Sequence, residues 1–152
     1  MNICFLDQTN FKYNAEDRHK SILRGAETVL INLSNELRKK GHNVIVYNNC
    51  SNDTIDINWK NINSIPVDRF KFDIAISNAD ATLFDYIYAK KKFVISYSLQ
   101  SIEKFIRKKQ LLAYFKHKPH YILIGKYHKN NRSKLISLFG SSILDLAVDL
   151  AI

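Results

Sequence analysis

Two rhythms of apolar and polar positions alternate along this chain. Five short runs are almost continuously apolar and mostly β-branched: NICFLD at 2–7, NVIVYN at 43–48, FDIAIS at 72–77, FVISYS at 93–98 and YILIG at 121–125. Runs of this kind predict strands buried on both faces, as in a parallel sheet. Between the first two, Ala26, Val29, Leu30, Leu33 and Leu37 recur at helical spacing, and Gly41 stands where such a helix stops. Asp80 is a good N-cap for a second helix carrying Leu83, Tyr86 and Ile87, with Lys90, Lys91 and Lys92 at its negative dipole end. The spacing predicts a third helix over 101–116, with Ile102, Phe105, Ile106 and Leu112 inward and Pro119 closing it, and a fourth over 127–139 ended by Gly140.

The stretch 49–69 has no helical period and reads as a short β excursion or loop with Trp59 packed against an edge. The tail from Ser141 is apolar up to Ile152, which suits either a last strand or a connection to a further segment. Strands separated by helical segments at crossover spacing predict an α/β fold, a Rossmann-like parallel sheet with helices on both faces. At 152 residues, the expectation is one domain over 1–152.

Composition narrows the class. With 46% apolar residues the chain can bury a core, and no apolar run approaches the roughly 20 residues of a membrane-spanning helix. MNICFLDQTN has no basic leader and reads as a first strand, so the expectation is a soluble, cytoplasmic protein. Cys4 and Cys50 fall within or at the end of strands and suit reduced, packed thiols. Neither has a ligand-type neighbour at metal-binding spacing, so no metal is expected. The net charge of +9 is unevenly placed: from Lys104 to Leu144 there are ten Lys or Arg residues and no Asp or Glu. A face of this kind attracts nucleic acid, anionic headgroups, phosphorylated small molecules or an acidic domain.

Candidate chemistry lies in the loops that follow strands, because doubly wound sheets bind ligands beyond the carboxyl ends of their strands. After the first strand, Arg24 and Gly25 open a helix whose exposed N–H groups favour an anion, although Gly25 serves equally as a simple helix N-cap. The loop lacks both the Gly-x-Gly-x-x-Gly spacing of a dinucleotide site and the Gly-Lys-Ser/Thr of a P-loop. After the third strand, Asn78 and Asp80 are assigned to capping in preference to the cleft. After the fourth, Tyr97, Ser98, Gln100, Ser101 and Lys104 form a hydroxyl and amide cluster, with a cation nearby, suited to a polyol. After the fifth, Lys126 and His128 are either ligand contacts or a solvated helix start. No nucleophile–base arrangement stands out, so no catalytic residue is assigned.

These residues carry a resemblance. GAETVLINLSNELRKKGHNVIVY at 25–47 resembles the first helix and second strand of the N-terminal domain of GT-B glycosyltransferases of the family-four type, through Gly25, Ala26, Glu27, Gly41, His42 and Val44. FDIAISNAD, FVISYSLQSIEKF and LFGSSILDLAVD resemble, in order, the strand before that family's middle helix, its acceptor-side loop and the segment before its hinge. The resemblance implies one half of a two-domain enzyme that transfers a sugar, with retention, from a nucleotide sugar to an acceptor such as a cell-surface polysaccharide or a lipid-linked precursor. It implies substrate contacts at Arg24, Gly25, Ala26, Tyr97, Ser98, Gln100, Ser101, Lys104 and Lys126. No cofactor beyond the donor is implied, and the C-terminal donor-binding half is absent, so the chain by itself is expected to be inactive. The Lys104 to Lys134 face would suit peripheral contact with the inner face of the membrane. The chain departs from the pattern at Arg24, where the family has the first of two glycines, and at Tyr97 or Ser98, where it often has a histidine.

The alternative from a different class is a stand-alone basic α/β binding module for nucleic acid or another anionic surface. Nucleic acid is disfavoured, because Tyr114, Phe115 and Tyr121 fall at core or strand positions, where stacking on bases is blocked.

Overall fold

Strand β1 (Asn2–Leu6) lies inside the chain's only described sheet, paired in parallel with β2 (Asn43–Asn48) on one edge and with β4 (Lys71–Asn78) on the other. The computed structural model describes residues 1–19, 23–50, 58–65, 71–99, 106, 108–134 and 136–145. Within them, β3 (Trp59–Asn61), β5 (Tyr88–Ser96), β6 (His120–Leu123) and β7 (Ser141–Ile143) complete a seven-stranded sheet of order β3-β2-β1-β4-β5-β6-β7. Every pairing is parallel. This is the Rossmann-like α/β architecture that the apolar runs predict.

The alternation of side chains along each strand builds two cores, one on each face. Ile3 and Phe5 point to the face covered by helix α1 (Gly25–Lys39), together with Val44, Val46, Leu30 and Ile31. Cys4 and Leu6 point to the opposite face, where helix α2 (Leu111–His117) and a 3-10 turn at Ala81–Tyr86 contribute Ala113, Tyr114, Leu83 and Phe84. Cys4 and Cys50 are both buried and unbonded. No helix among the described residues is long and apolar enough to cross a membrane.

Several elements differ from the expected ones. Helix α1 starts and stops as predicted, with Gly41 at a φ of 81° donating its N–H to the Arg38 carbonyl at 2.8 Å. Its buried stripe is rotated, however. Glu27, Leu30, Ile31 and Ser34 face inward, with Leu33 and Leu37 half-buried at the edge. Arg24 is the N-cap residue, and Gly25 is the first helical residue instead of the cap. The expected second helix is only one 3-10 stretch, capped as predicted by Asp80, whose Oδ1 accepts from the Thr82 N–H at 2.8 Å. Lys90, Lys91 and Lys92 belong to β5 and do not neutralise a helix end. Their backbone is drawn into the ladder by β4, on which Ile74 pairs with Lys91.

The third helix is described only from Leu111, and Ile102 and Phe105 lie outside the described residues. Ile106 and Leu112, expected inward, are 60% and 83% exposed, because Ala113 and Tyr114 take the inner face. The fourth helix shortens to α3 (Lys126–Asn130), since the chain must return to form β7. Trp59 packs at the sheet edge as expected, in β3, with only 2% exposure.

Gly140 shows a constraint that the chain pattern hides. A Cβ there would sit 2.5 Å from His120 Nδ1, and the Gly140 carbonyl accepts the Tyr121 N–H at 2.7 Å. Overpacking of this kind displaces a ring that also touches Phe93 and Ser142. Gly140→Ala is expected to lower unfolding stability by about 1–3 kcal/mol, measured by urea denaturation, against a change within about 0.5 kcal/mol for Gly25→Ala, which has open space.

Candidate functional site

Parallel strands all end on one rim, and the order 3-2-1-4 makes the chain leave β1 in one direction and return on its other side. A crevice opens at that reversal, beyond the carboxyl ends of β1 and β4. A cleft of about 310 Å³ is found there. Asp7, Gln8 and Thr9 enter it from the end of β1, Arg24 and Ala26 from the start of α1, and Asn78 to Asp80 from the end of β4. Tyr97, just past β5, and Lys108 close the far side.

Asp7 is the centre of this site. Its backbone continues the β1–β2 ladder, donating to the Tyr47 carbonyl at 2.9 Å, so its carboxyl is carried into the interior and is only 3% exposed. Burial pushes the carboxyl up to about 6, and the neighbouring charge of Glu27 adds to the rise. Hydrogen bonding from Tyr13 and Asn78 and the charge of Arg24 pull it back. The Tyr13 hydroxyl donates to Asp7 Oδ2 at 2.5 Å. Burial, and then the charge of Asp7, push that phenol above its ordinary range.

Tyr13 also explains how the long polar loop after β1 is held. Its ring lies edge-on to Trp59 at 5.8 Å between centroids, and its carbonyl accepts from Asn48 Nδ2 at 2.7 Å. Local turns do the rest: Thr9 Oγ1 accepts from the Phe11 N–H at 3.1 Å, and Asn14 Oδ1 from the Glu16 N–H at 2.8 Å.

Glu27 brings a second buried carboxyl to the start of α1, 3% exposed. Arg24 Nε lies 3.6 Å from its Oε1, whereas Oε2 has no hydrogen-bond partner among the described residues. The Tyr97 hydroxyl is buried and likewise without a partner among them. Burial, with the charges of Asp7 and Glu27 behind it, raises that hydroxyl above its ordinary range. Unpartnered buried polar atoms each cost about 1–3 kcal/mol. Two of them beside one cleft form a set of hydrogen-bonding positions that a ligand can complete.

The β4 rim is also strained into place. Ala79 adopts a φ of 56°, in the left-handed region that residues with a Cβ rarely occupy, and its N–H donates to the Ile95 carbonyl at 3.0 Å. That turn sets Asn78 and Asp80 on the cleft wall. Ser77 Oγ donates to the Asp80 carbonyl and fixes the same corner.

The structure therefore brings together Arg24, Ala26 and Tyr97 from the residues singled out in the sequence. Gly25 sits exposed between the first two, at the α1 start. Ser98 is exposed, and its carbonyl accepts from Ser96 Oγ at 2.8 Å. Gln100, Ser101 and Lys104 lie outside the described residues. Lys126 opens α3 beyond β6 and is not part of this cleft's lining. Sequence reasoning missed Asp7, Tyr13 and Lys108, and assigned Asn78 to capping. The signal for Asp7 was present, as an acid that follows a fully apolar run without a break.

Arg24 itself is mostly exposed, with its guanidinium 5.9 Å from the Phe11 ring centroid. Glu27 and Asp7 already set negative charge against the α1 amino terminus. The deep part of the cleft thus favours hydroxyl or amine donors, and an anion is favoured only toward Arg24 and Lys108. Comparison of the chain with known protein families, with curated proteins and with solved structures returns no match.

The buried Asp7 gives a pH signature. A carboxyl whose folded pKa is raised binds its proton more tightly in the folded state, so its contribution to stability is present below the unfolded value and is lost as pH rises toward about 6. Asp7→Asn is expected to remove that loss. Relative to the parent chain it should gain about 2–3 kcal/mol at neutral pH and almost nothing near pH 4, read from urea unfolding at both.

Proposed function

We propose that this chain acts as the acceptor-side, N-terminal domain of a GT-B glycosyltransferase of the family-four type, working together with a donor-binding domain. In that role it holds the sugar acceptor while a sugar passes to it from a nucleotide sugar. The cleft at the strand-order reversal carries the reading. Its deep groups present a carboxyl acceptor at Asp7 and, in the Asn78 amide and the Tyr97 hydroxyl, two groups that can both donate and accept, all in a small volume. Sugar hydroxyls match such a set, since each both donates and accepts.

The size points the same way. A cleft of 310 Å³ lies at the bottom of the range of about 300–1,000 Å³ for small-molecule sites, which suits one terminal sugar better than a whole nucleotide sugar. The carboxyls of Asp7 and Glu27 would repel a diphosphate from the interior. In this reading Arg24, at the exposed rim, faces the leaving diphosphate from outside, and the donor-binding domain supplies the other donor contacts. The basic surface carrying Lys108, Lys116, Lys118, Lys126, Lys129 and Lys134 would then turn toward anionic headgroups and bring a lipid-linked or cell-surface polysaccharide acceptor within reach.

Ligand-observed NMR on the full chain tests the assignment. Weak, saturable binding of a neutral monosaccharide is expected, with no sugar transfer, and Tyr97→Phe should weaken it by about five- to tenfold through the loss of one hydrogen bond. Binding of nucleotide sugars alone, indifferent to Tyr97→Phe, would assign the cleft to a different ligand and remove the proposal.

A further inference from the structure

The opposite rim of the sheet carries a second and larger cleft, of about 630 Å³. It arises from unequal strand lengths. β5 spans Tyr88–Ser96, but β6 begins to pair with it only where His120 meets Phe93, and β7 is shorter still. Ala89 to Lys92 therefore run past the start of β6, and the step between them is a notch, with α2's carboxyl end as its second wall and β7's Ser142 at its margin.

Nitrogen-bearing side chains from three consecutive elements line this notch: the lysines Lys91 and Lys92 from β5 and Lys118 from the end of α2, and the His120 imidazole from β6. Lysines on an exposed strand edge also block strand addition, and for one row of side chains that account would suffice. Here the convergence has two features that edge protection does not require.

The first is the positioning of Lys92. This half-buried side chain places Nζ 2.9 Å from His117 Nδ1, and His117 Nε2 lies 2.9 Å from Asp85 Oδ1. With the ammonium donating to Nδ1, the imidazole carries its proton on Nε2 and passes it to the carboxylate as a hydrogen bond. Asp85 is further held by Lys116. The ammonium is thus fixed in place without a carboxylate of its own. The second is Lys118, which holds a φ of 44° at the helix end, the position where glycine is the low-strain choice. Asp73 compensates Lys90, at 2.8 Å, but among the described residues no carboxylate pairs with Lys91, Lys92 or Lys118.

We propose that this notch is an anion site for the phosphate or diphosphate group of a small molecule, separate from the sugar-binding cleft and independent of that assignment. Lys91 and Lys118 would flank the group, Lys92 would meet it from the wall, and His120, set by its contact with Ser142 Oγ at 2.8 Å, would lie at the margin. The Phe93 ring, edge-on to His120 at 5.5 Å, gives the apolar part of the ligand a surface to rest on.

The test is a pyrophosphate titration of the full chain at constant ionic strength, followed by amide NMR. Saturable binding with shifts clustered at 89–93 and 117–120 is expected. Lys118→Gly should weaken it by about tenfold or more while raising the melting temperature, since a charge-assisted contact is lost and backbone strain relieved. The charge-matched Lys129→Gln variant should leave it unchanged. Anionic phospholipid vesicles then assign the source: vesicle binding displaced by pyrophosphate identifies a lipid headgroup, and pyrophosphate binding without vesicle binding identifies a free ligand. No saturation, or equal weakening in both variants, overturns the proposal.

Discussion

The double burial of β1 sets the terms for the whole molecule. A strand paired in parallel on both edges must be covered on both faces, because a parallel ladder has no local hairpin to shield it and its crossovers lay helices across the sheet. Ile3 and Phe5 require α1 on one side, and Cys4 and Leu6 require α2 and the 3-10 turn on the other. The residue after β1, Asp7, is delivered into the interior, still hydrogen-bonded to β2.

The site chemistry follows from that delivery. A carboxyl in this position must be protonated, hydrogen-bonded or matched by charge, and the chain uses all three means in part: a raised pKa, the Tyr13 hydroxyl, and Arg24 nearby. Tyr13 is the economical element. One ring seals the edge against Trp59, pins a long polar loop and satisfies the acid at the strand end. Glu27 at the first turn of α1 then sets a second buried acid beside the first, which converts a generic anion-favouring helix start into a place for hydrogen-bond donors.

Strand length has an equally physical consequence at the other rim. Because β4 pairs along nearly all of β5 while β6 pairs only with its second half, the sheet is stepped. The step leaves lysines that belong to a strand facing lysines and histidines that belong to a helix end and the next strand. The two rims thus carry opposite electrostatic characters, acid-lined where the strands end and cationic where they begin.

How much of this was legible beforehand can be followed residue by residue. Periodicity alone determined the five main strands, the α1 helix with its stop at Gly41, the edge position of Trp59 and hence the parallel α/β class, because these depend on burial patterns that each segment carries within itself. The loop rule pointed to Arg24 at the helix start after the first strand and to Tyr97 after the fourth, the resemblance added Ala26, and topology then gathered the three into one cleft. Tertiary structure alone decided which face of α1 turned inward, that Lys90 to Lys92 would join a strand instead of closing a helix, and that Ile106 and Leu112 would stay exposed. Each of those outcomes depends on a partner distant in sequence: β4 pulling on β5, Ala113 and Tyr114 filling the space beneath α2. Asp7 marks the boundary between the two kinds of knowledge, since its apolar run was visible in the chain but its burial required neighbours on every side.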